Sequence, residues 1–559
     1  ILAPLFKLLE ASLELLVPLV MAQIIDIGIA NGDGGFILSR CGILAVLAAV
    51  GLVCSITAQY FAAKASVGFA AKLRSTLFKH IQSLSYSKLD TQGTGTLIAR
   101  ITGDINQVQS GMNLALRLLL RSPFVVFGAM IMAFTIDVKA ALVFVVTIPL
   151  LSIVVFGIML WSIPMYKKVQ ARLDKVLGIT RENLSGVRVI RAFCKEDEER
   201  REFGERNAAL TKLQLMVGRV SAAMNPATYI MINLGIAVLI YVAALRVDSG
   251  ILTQGQVVAL YNYMSQILVE LIKLANLIIT VTKSFASAAR IRDVLELDTN
   301  TVYSDDKKIY NTHAVEFDRV SMHYNEGAKD ALENISFTAE PGEIIGVIGG
   351  TGSGKTTLVG LIPRFYDASS GTIRVDGRNV NSYSLEELRE KVHVVLQRAV
   401  LFRGTLRENL LWGNKNANDE EMQAAVKAAQ AADFVQSKGG LDMKITAEGR
   451  NLSGGQRQRL SIARALVGNP EILILDDSAS ALDYVTEKAL RGALSALPNK
   501  PTVFIVSQRT SSLRHADKIL VLDNGALVGC GTHDVLLENC SVYREIYDSQ
   551  FGGKEAAAK

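Results

Sequence analysis

A glycine-rich loop that ends in a lysine and two threonines is the stretch of this sequence best suited to chemistry. The segment Ile344–Thr357 reads IIGVIGGTGSGKTT and fits the template G-x-x-x-x-G-K-[ST]. Glycines let a backbone curl so that its N–H groups surround phosphate. Lys355 can reach β- and γ-phosphates, and the Thr356 hydroxyl can ligand Mg²⁺. The loop residues predicted to bind the nucleotide are Gly349, Gly350, Thr351, Gly352, Ser353, Gly354, Lys355, Thr356 and Thr357.

The segments on either side of this loop favour phosphate binding. The apolar residues from Ile344 to Ile348 predict a buried strand, and a helix is expected to begin near Lys355. The N-terminal end of a helix carries partial positive charge, which attracts phosphate. Because strand, loop and helix follow in the required order, a glycine loop without a ligand is the less favoured interpretation. The sequence therefore predicts a nucleoside triphosphate site.

Two further motifs belong to the same chemistry. The apolar run from Glu471 to Leu475 ends at Asp476, which could present a carboxylate to Mg²⁺. Upstream, the motif LSGGQ at 452–456 precedes a predicted helix at 457–467 and offers a second helix end for phosphate. A triphosphate already held by the first loop leaves little room for this second helix end. We therefore expect contacts with ATP bound to another subunit from Ser453, Gly454, Gly455 and Gln456.

Composition separates the 559 residues into two unlike halves. Half of all residues are hydrophobic. Long apolar runs are concentrated in the first half of the chain, whereas the second half has the composition of an ordinary soluble domain. The net charge of +6 comes without a polybasic tail, which argues against a nucleic-acid partner. Five scattered cysteines predict no disulfide framework and fit a reducing compartment. We expect the native start to be missing before Ile1, and we set aside 552–559, GGKEAAAK, which resembles an engineered helical linker.

Six apolar segments of the first half could cross a bilayer, which takes about 20 residues. The clearest, 140–161, carries no charged residue. Buried helices of a soluble protein are the alternative, but six such runs in under 300 residues make a membrane domain the favoured interpretation. The predicted spans are 2–30, 41–84 with a polar extension, 123–136, 140–161, 222–245 and 257–281.

Lysine and arginine residues are placed unevenly between these spans, which predicts the orientation in the membrane. The loops after the second and fourth spans are rich in them, whereas the opposite loops hold little beyond Arg40, Lys139 and Arg246. The basic loops, both termini and the phosphate loop are therefore expected on the cytoplasmic side. The predicted location is the plasma membrane, in a bacterium the inner membrane. The basic loop residues include Lys72, Arg74, Lys79, Lys88, Arg100, Lys167, Lys168, Arg172, Lys175, Arg188, Arg191, Arg200 and Arg201.

In combination, GGTGSGKT, LSGGQ, ILILD and the turn from Ser480 to Asp483 resemble the ATPase domain of ABC transporters. With six spans upstream, the whole chain resembles a half-transporter of the type I (type IV) ABC exporters. The resemblance implies an all-α, six-helix membrane domain fused to an α/β P-loop ATPase domain. The expected boundaries are 1–297 for the membrane domain with two long cytoplasmic coupling loops, 298–312 for a linker and 313–548 for the ATPase domain.

This resemblance also implies roles for single residues. Tyr324 would stack on adenine, Gln397 would contact Mg²⁺ and the attacking water, and Asp483 would lie at the nucleotide site. The implied cofactors are ATP and Mg²⁺, with Thr356, Gln397 and Asp476 around the metal. The coupling loops would lie at 95–104 and 182–193, and two subunits would enclose two ATP molecules between them.

Two positions depart from the family pattern at the catalytic site. Asp477 stands where the family carries a glutamate that positions or deprotonates water, and Gln508 stands where it carries a histidine. Aspartate is one methylene shorter, and a misplacement of ~1 Å can cost about 10²-fold in rate. Glutamine donates a hydrogen bond but carries no proton to transfer. Together they predict a site that binds ATP well and hydrolyses it poorly, so a heterodimer with a second half-transporter is favoured over a slow homodimer.

Two function classes follow from this architecture. The favoured one is a subunit of an ATP-driven exporter that moves a small amphipathic molecule, drug, peptide or lipid out of the cytoplasm. The alternative is an ATP-gated channel or a regulatory membrane subunit. Within the sixth span a polar stripe at a spacing of four residues could line a substrate cavity or form a seam between helices, and both interpretations are equally favoured. The stripe consists of Asn262, Gln266 and Glu270.

Overall fold

The computed structural model describes residues 2–298, 313–324, 327, 329–478 and 481–555, with the backbone alone at 552–555. The predicted linker at 298–312 lies outside the described residues apart from Asp298, and so does the tail beyond Glu555. The chain divides into two compact units. The first unit comprises Ile1–Ser83 and Gly93–Leu297, and the second comprises Leu84–Gln92 and Asp298–Lys559.

The described residues of the first unit form helices joined by short turns, with no strand among them. Short π-helical turns at Ile24–Ile29 and Arg100–Asp104 follow the first and fourth helices. The third helix belongs to the second unit. The helices from the N-terminus to residue 295 are α1 (Leu2–Gln23), α2 (Gly34–Ser83), α3 (Tyr86–Gln92), α4 (Thr94–Ala99), α5 (Ile105–Leu118), α6 (Arg121–Ile136), α7 (Val138–Ala192), α8 (Glu196–Ala222), α9 (Met224–Asp248) and α10 (Gln254–Leu295).

The six predicted spans are confirmed as six long apolar helical segments within the described residues. The most apolar window of α7 has a mean hydropathy of 2.8, yet only 28% of that window is buried. Large aliphatic side chains such as Val146 and Ile153 are more than two-thirds exposed there. An apolar surface of this extent is unfavourable in water and favourable in hydrocarbon. The first unit is thus the membrane domain of a multi-pass protein.

A buried network of charges joins three helices of this domain. The Arg121 guanidinium on α6, only 7% exposed, pairs with Glu270 of α10 at 2.5 Å and with Glu14 of α1 at 2.6 Å. The Ser122 hydroxyl donates to the second Glu270 oxygen at 2.7 Å, and the Lys273 ammonium donates to the first at 2.9 Å. Charges within a membrane domain are expensive unless they are paired. Glu270 therefore lies in a seam between helices, which was one of the two interpretations of the polar stripe.

We expect Glu270→Ala to destabilise the membrane domain by about 3–5 kcal/mol, because it leaves the buried Arg121 without its closest carboxylate. The measurement is the free energy of unfolding of the purified chain in detergent. Glu205→Ala is the matched control, since Glu205 is exposed and its pair with Arg201 spans 4.0 Å. The control should cost less than about 1 kcal/mol. Equal losses in the two variants would contradict the role of the network.

The second unit is built on a six-stranded sheet in its described part. Its strand order is β12-β11-β3-β10-β9-β6, parallel except for the hairpin that joins β11 to β12. A four-stranded antiparallel sheet has the order β2-β1-β4-β5, and β7 pairs with β8. The strands are β1 (Val315–Met322), β2 (Leu332–Ala339), β3 (Ile344–Gly349), β4 (Ser370–Val375), β5 (Arg378–Asn379), β6 (Val392–Val395), β7 (Gly404–Thr405), β8 (Lys444–Ile445), β9 (Ile472–Asp476), β10 (Thr502–Val506), β11 (Lys518–Asp523) and β12 (Ala526–Gly531).

Helices pack on this sheet and bury its central strands. Every residue of β9 and β10 is buried, which explains why these strands are apolar on both faces. The helices of the second unit after residue 313 are α11 (Lys355–Leu361), α12 (Leu385–Lys391), α13 (Leu406–Leu410), α14 (Asp419–Ala428), α15 (Ala432–Ser437), α16 (Gly454–Val467), α17 (Tyr484–Ser495), α18 (Thr510–Leu513), α19 (His533–Asn539) and α20 (Ser541–Glu555). The second unit therefore has the predicted α/β architecture, with parallel strands that end at one edge.

The residues of the first cytoplasmic loop are divided between the two units. Helix α3 belongs to the second unit, where the Tyr86 ring stacks on Phe365 at 4.5 Å and Asp90 accepts a hydrogen bond from the Tyr366 hydroxyl at 2.7 Å. In contrast, Asp104 is buried in the first unit and pairs with Arg290 of α10. Helix α3 is therefore packed within the second unit and Asp104 within the first, and the coupling role of 95–104 stays a prediction.

Candidate functional site

The glycine-rich loop follows β3 and precedes α11, as predicted. A Cβ atom at Gly349 would lie 2.2 Å from the backbone oxygen of Leu522. A Cβ atom at Gly354, where φ is +97°, would lie 2.6 Å from the oxygen of Ala331. Backbone atoms cannot move aside as a flexible side chain could, so only glycine fits at these two positions. The close approach of neighbouring backbone thus determines the path of the loop.

Lys355 is buried at the start of α11, beneath the loop. Its ammonium group donates to the carbonyl oxygens of Gly349 at 2.9 Å and Gly350 at 2.6 Å. Burial lowers the pKa of Lys355, while the carboxylates of Asp477 and Asp476 act in the opposite direction. A buried cation gains free energy from an anion that reaches it. The buried ammonium group therefore favours binding of a phosphate group by this loop.

The predicted metal residues Thr356 and Asp476 are brought together. Asp476 ends β9, is 4% exposed and accepts a hydrogen bond from the Thr356 hydroxyl at 3.1 Å. Burial raises the pKa of Asp476, the hydrogen bond from Thr356 lowers it and the neighbouring Asp477 raises it again. A divalent cation would offset these two adjacent acids, and hydroxyl and carboxylate oxygens are ligands that Mg²⁺ accepts. The residues present therefore fit Mg²⁺, which Thr356 and Asp476 would hold.

The carboxyl ends of the parallel strands bring together the three predicted catalytic residues. Gln397 follows β6, Asp477 follows β9 and Gln508 follows β10, and these three strands are neighbours in the sheet. The Gln397 amide donates to the Asp477 carboxylate at 3.1 Å. The Asp477 backbone has φ +46° and its N–H donates to the oxygen of Val506 at 3.1 Å. The three residues thus follow the carboxyl ends of neighbouring strands, and Gln397 and Asp477 are in direct contact there.

One contact of Gln508 was not foreseen. Gln550 of α20 donates its amide N–H to the backbone oxygen of Gln508 at 2.7 Å, and its amide oxygen accepts from the Thr510 N–H and hydroxyl at 3.0 and 2.9 Å. The C-terminal helix therefore holds the segment that carries Gln508. Nothing local in the sequence indicates this contact, because the two glutamines are 42 residues apart.

Tyr324 lies beside the phosphate loop. Its hydroxyl shares a hydrogen bond of 2.8 Å with the Thr357 hydroxyl, and its ring meets the edge of Tyr366 at 5.2 Å. The residue is 44% exposed, so part of its ring remains accessible. This position is compatible with the predicted stacking of adenine, which stays a prediction.

The motif LSGGQ forms the start of α16. The Ser453 hydroxyl accepts from the Gln456 N–H at 3.3 Å, and the Gln456 side chain accepts from the Ser453 N–H at 3.1 Å. This reciprocal capping starts the helix at Gly454, three residues before the predicted start. A Cβ at Gly454 would meet no atom within 4 Å, so the helix end is open to a ligand. Asp483 caps α17 through the Thr486 N–H at 2.7 Å, and Ser480 lies outside the described residues.

The two phosphate-binding motifs make no hydrogen bond to each other. Among the described residues, the side chains of Ser453 and Gln456 bond only each other's backbone and Lys438, whereas the Lys355 ammonium bonds only loop oxygens. In this chain, therefore, no hydrogen bond between the described residues links the LSGGQ motif to the phosphate loop.

Comparison with known proteins agrees with this arrangement. Residues 1–271 match the family of the ABC transporter transmembrane region, and residues 332–480 match the ABC transporter family. An uncharacterized ABC transporter ATP-binding protein of Bacillus subtilis is 36% identical over 551 residues, which are 98% of this chain and 96% of that protein. One of Mycobacterium tuberculosis is 34% identical over 550 residues, 97% of this chain and 94% of that protein.

Two further similarities concern a named activity and a known fold. An ATP-dependent lipid A-core flippase of Syntrophus aciditrophicus is 33% identical over 86% of this chain and 80% of its own length. The structure of a bacterial Atm1-family ABC exporter with ATP bound has a TM-score of 0.82, at 23% identity, over 98% of this chain and 97% of that one. With its phosphate loop, its LSGGQ helix and its membrane helices, this chain belongs to the ABC transporter family, has an ABC exporter fold and couples ATP hydrolysis to transport.

Proposed function

We propose that this chain is one half of a heterodimeric exporter, in which its own phosphate loop binds ATP and hydrolyses it slowly. The observation that carries the proposal is the pair Asp477 and Gln508, which follow neighbouring strands of the sheet. Both residues replace groups that would position water and exchange a proton. Gln397 donates to the short Asp477 side chain at 3.1 Å, so this carboxylate is already engaged.

The intact LSGGQ motif supports a second role for the chain. Ser453 and Gly454 form an open, capped helix end that could contact the γ-phosphate of ATP on a partner subunit. This arrangement is useful when the partner's own loop is competent for hydrolysis. The partner should therefore carry the glutamate and the histidine that this chain lacks.

An exposed apolar surface at the junction of α7 and α8 is further support for the presence of a second subunit. The side chains of Leu184, Val189 and Phe193 are 72%, 60% and 73% exposed. The surrounding arginines and lysines favour the cytoplasmic side for this junction, where lipid would not cover it. An exposed group of large apolar residues of this kind is typical of a protein interface. We assign it to contact with the second subunit.

A cleft in the membrane domain supports an amphipathic cargo. It lies between α1 and α2 and has a volume of about 580 Å³. Its walls are mainly aliphatic, including Leu13, Val17 and Leu47, and Glu14 and Arg121 provide charge at one side. Such a mixture suits a molecule with an apolar body and a polar group. The relative named as a lipid A-core flippase also has an amphipathic substrate by its name.

The test of this proposal is purification of the tagged full-length chain from its native bacterial inner membranes. We expect a second ABC half-transporter in equal amount, with glutamate directly after the aspartate that corresponds to Asp476. A chain with the surface substitution Phe193→Asp should recover less of that partner, because the substitution charges the exposed apolar surface. Recovery of copies of this chain alone would contradict the heterodimer and favour a slow homodimer.

A further inference from the structure

A second cavity of the ATPase unit lies apart from the phosphate loop, and we call it the C-terminal pocket. It has a volume of about 620 Å³, within the range of small-molecule sites. Helices α17 and α18 form one side and the C-terminal helix α20 forms another. None of the loop residues Gly349–Thr357 and none of the LSGGQ residues line it. The pocket is therefore separate from the nucleotide site already described.

The charge that faces this pocket is of one sign. The described residues that line it include three cations and two histidines, and no aspartate or glutamate. Burial lowers the pKa of His533, Arg514 and His515 lower it further, and only Asp534 opposes them. An excess of neighbouring positive charge has this effect on a histidine, and it favours an anion at the same place. The three cations are Lys488, Arg491 and Arg514, and the two histidines are His515 and His533.

A buried hydroxyl in the wall of the pocket lacks a partner. Ser512 is 3% exposed, and its hydroxyl oxygen makes no hydrogen bond within the described residues. The neighbouring Thr510 hydroxyl, by contrast, donates to Gln550 at 2.9 Å. Buried polar groups are nearly always paired, because an unpaired one loses its hydration without compensation. A ligand with an oxygen acceptor would supply the missing bond once the Ser512 side chain rotates towards the pocket.

The remaining walls are apolar and aromatic. Tyr547 and Phe551 project from one face of α20 with their ring centroids 4.9 Å apart. The strand residues Val503 and Ile505, together with Leu494 of α17, complete the apolar side. A simple inorganic anion would leave these surfaces without a partner. The lining as a whole fits a molecule that has both a negative group and an apolar body.

This pocket is connected to the segment that carries Gln508. Gln550 lies between Tyr547 and Phe551 on α20 and donates to the Gln508 backbone oxygen at 2.7 Å. Arg491, which lines the pocket, donates to the backbone oxygens of Ser511 and Ser512 at 3.1 and 2.8 Å. A molecule held between α17 and α20 would therefore act on both ends of the segment from Gln508 to Ser512.

We propose that the C-terminal pocket binds an amphipathic anion, with a phosphate or carboxylate group on an aromatic or acyl body, and that its occupancy changes ATP binding through Gln550 and Gln508. The binding site stands on its own, whereas the effect on ATP rests on the proposed function of this chain as an ATP-binding half-transporter. The basic residues and Ser512 contact the anionic group, and Tyr547 and Phe551 contact the body.

The binding experiment uses the full-length chain in nanodiscs, with a non-hydrolysable ATP analogue saturating the phosphate loop. The probe is 2-naphthyl phosphate, followed by its fluorescence polarisation, and inorganic phosphate and uncharged 2-naphthol serve as competitors. Arg514→Glu should weaken probe binding at least tenfold, and Ser512→Ala should weaken it several-fold without lowering the thermal unfolding midpoint. Lys415→Glu, which reverses an exposed charge outside the pocket, should leave binding within twofold of the original chain.

Each result decides the proposal. Probe binding that is insensitive to Arg514→Glu, or no binding at all, overturns the site. Competition by inorganic phosphate as strong as self-competition overturns the amphipathic assignment. A second measurement compares ATP affinity with and without the probe: the probe should change it in the original chain and not in Gln550→Ala, which should still bind the probe. An equal effect in Gln550→Ala overturns the connection to Gln508, even when ATP and the probe both bind.

Discussion

Replacing Lys355 with alanine is expected to lower the affinity of this chain for ATP at least ~100-fold, or about 3 kcal/mol. The ammonium group is buried below the loop and bonds only backbone and Ser353 oxygens there. It is the cation of the loop positioned to meet the β- and γ-phosphates. Its removal leaves these phosphates without a charged partner in a poorly hydrated site.

Direct binding of a fluorescent ATP analogue to the purified chain is the measurement, with and without Mg²⁺. Lys415→Ala removes a lysine that is exposed, and this control should bind ATP as the original chain does. Thr356→Ala should weaken binding mainly when Mg²⁺ is present, because it removes the hydroxyl next to Asp476. Unchanged affinity in Lys355→Ala would contradict the assignment of the phosphate loop.

The second large effect is expected in ATP hydrolysis, where this chain alone should turn over slowly and the heterodimer should turn over fast. Removing the partner's catalytic glutamate should stop most turnover, whereas Asp477→Asn here should slow it much less. Asp477 follows β9 with its carboxylate bonded to Gln397, and its side chain is one methylene shorter than the glutamate expected from the family resemblance. A displacement of this size is worth about 10²-fold in rate.

Introducing the residues of the family pattern into this chain tests the same prediction in the opposite direction. Asp477→Glu together with Gln508→His should raise the turnover of the chain purified without a partner by about 10²-fold, because both departures at the strand ends are removed. Asp433→Asn, at an exposed position of α15, is the control and should change nothing. Robust turnover of the unmodified chain alone, lost on Asp477→Asn, would contradict the heterodimer and establish a homodimer.

The elements that depend on contiguous residues could be predicted. The phosphate loop, the strand before Asp476 and the six apolar spans can each be recognised from the residue types within one continuous segment. Their physical requirements are local: glycine where backbone approaches closely, apolar runs where both strand faces are buried, and apolar length where lipid surrounds a helix. Because each requirement is satisfied within one segment, spacing alone was sufficient.

Boundaries and contacts between segments were predicted less well. The start of α16 was placed at 457 rather than at Gly454, because the capping by Ser453 and Gln456 is a side-chain effect that apolar periodicity does not reveal. The stacking of the Tyr86 ring of α3 on Phe365, 279 residues further along the chain, is a second contact that the sequence does not predict. The local pattern of residues around Tyr86 does not indicate which distant residue its ring contacts.

Motif spacing and apolar length along the sequence were sufficient to identify the ATPase domain and the membrane domain. The role of Asp476 at Mg²⁺, the role of LSGGQ at a partner's ATP and the departures at Asp477 and Gln508 stay predictions from the family resemblance. Only the tertiary structure decided that Glu270 is bound to Arg121, 149 residues away, and that Gln550 holds the segment of Gln508. The physical reason is that spacing along a chain defines local conformation, whereas ion pairs, shared pockets and long-range hydrogen bonds arise only when the packing of whole helices and strands brings distant residues together.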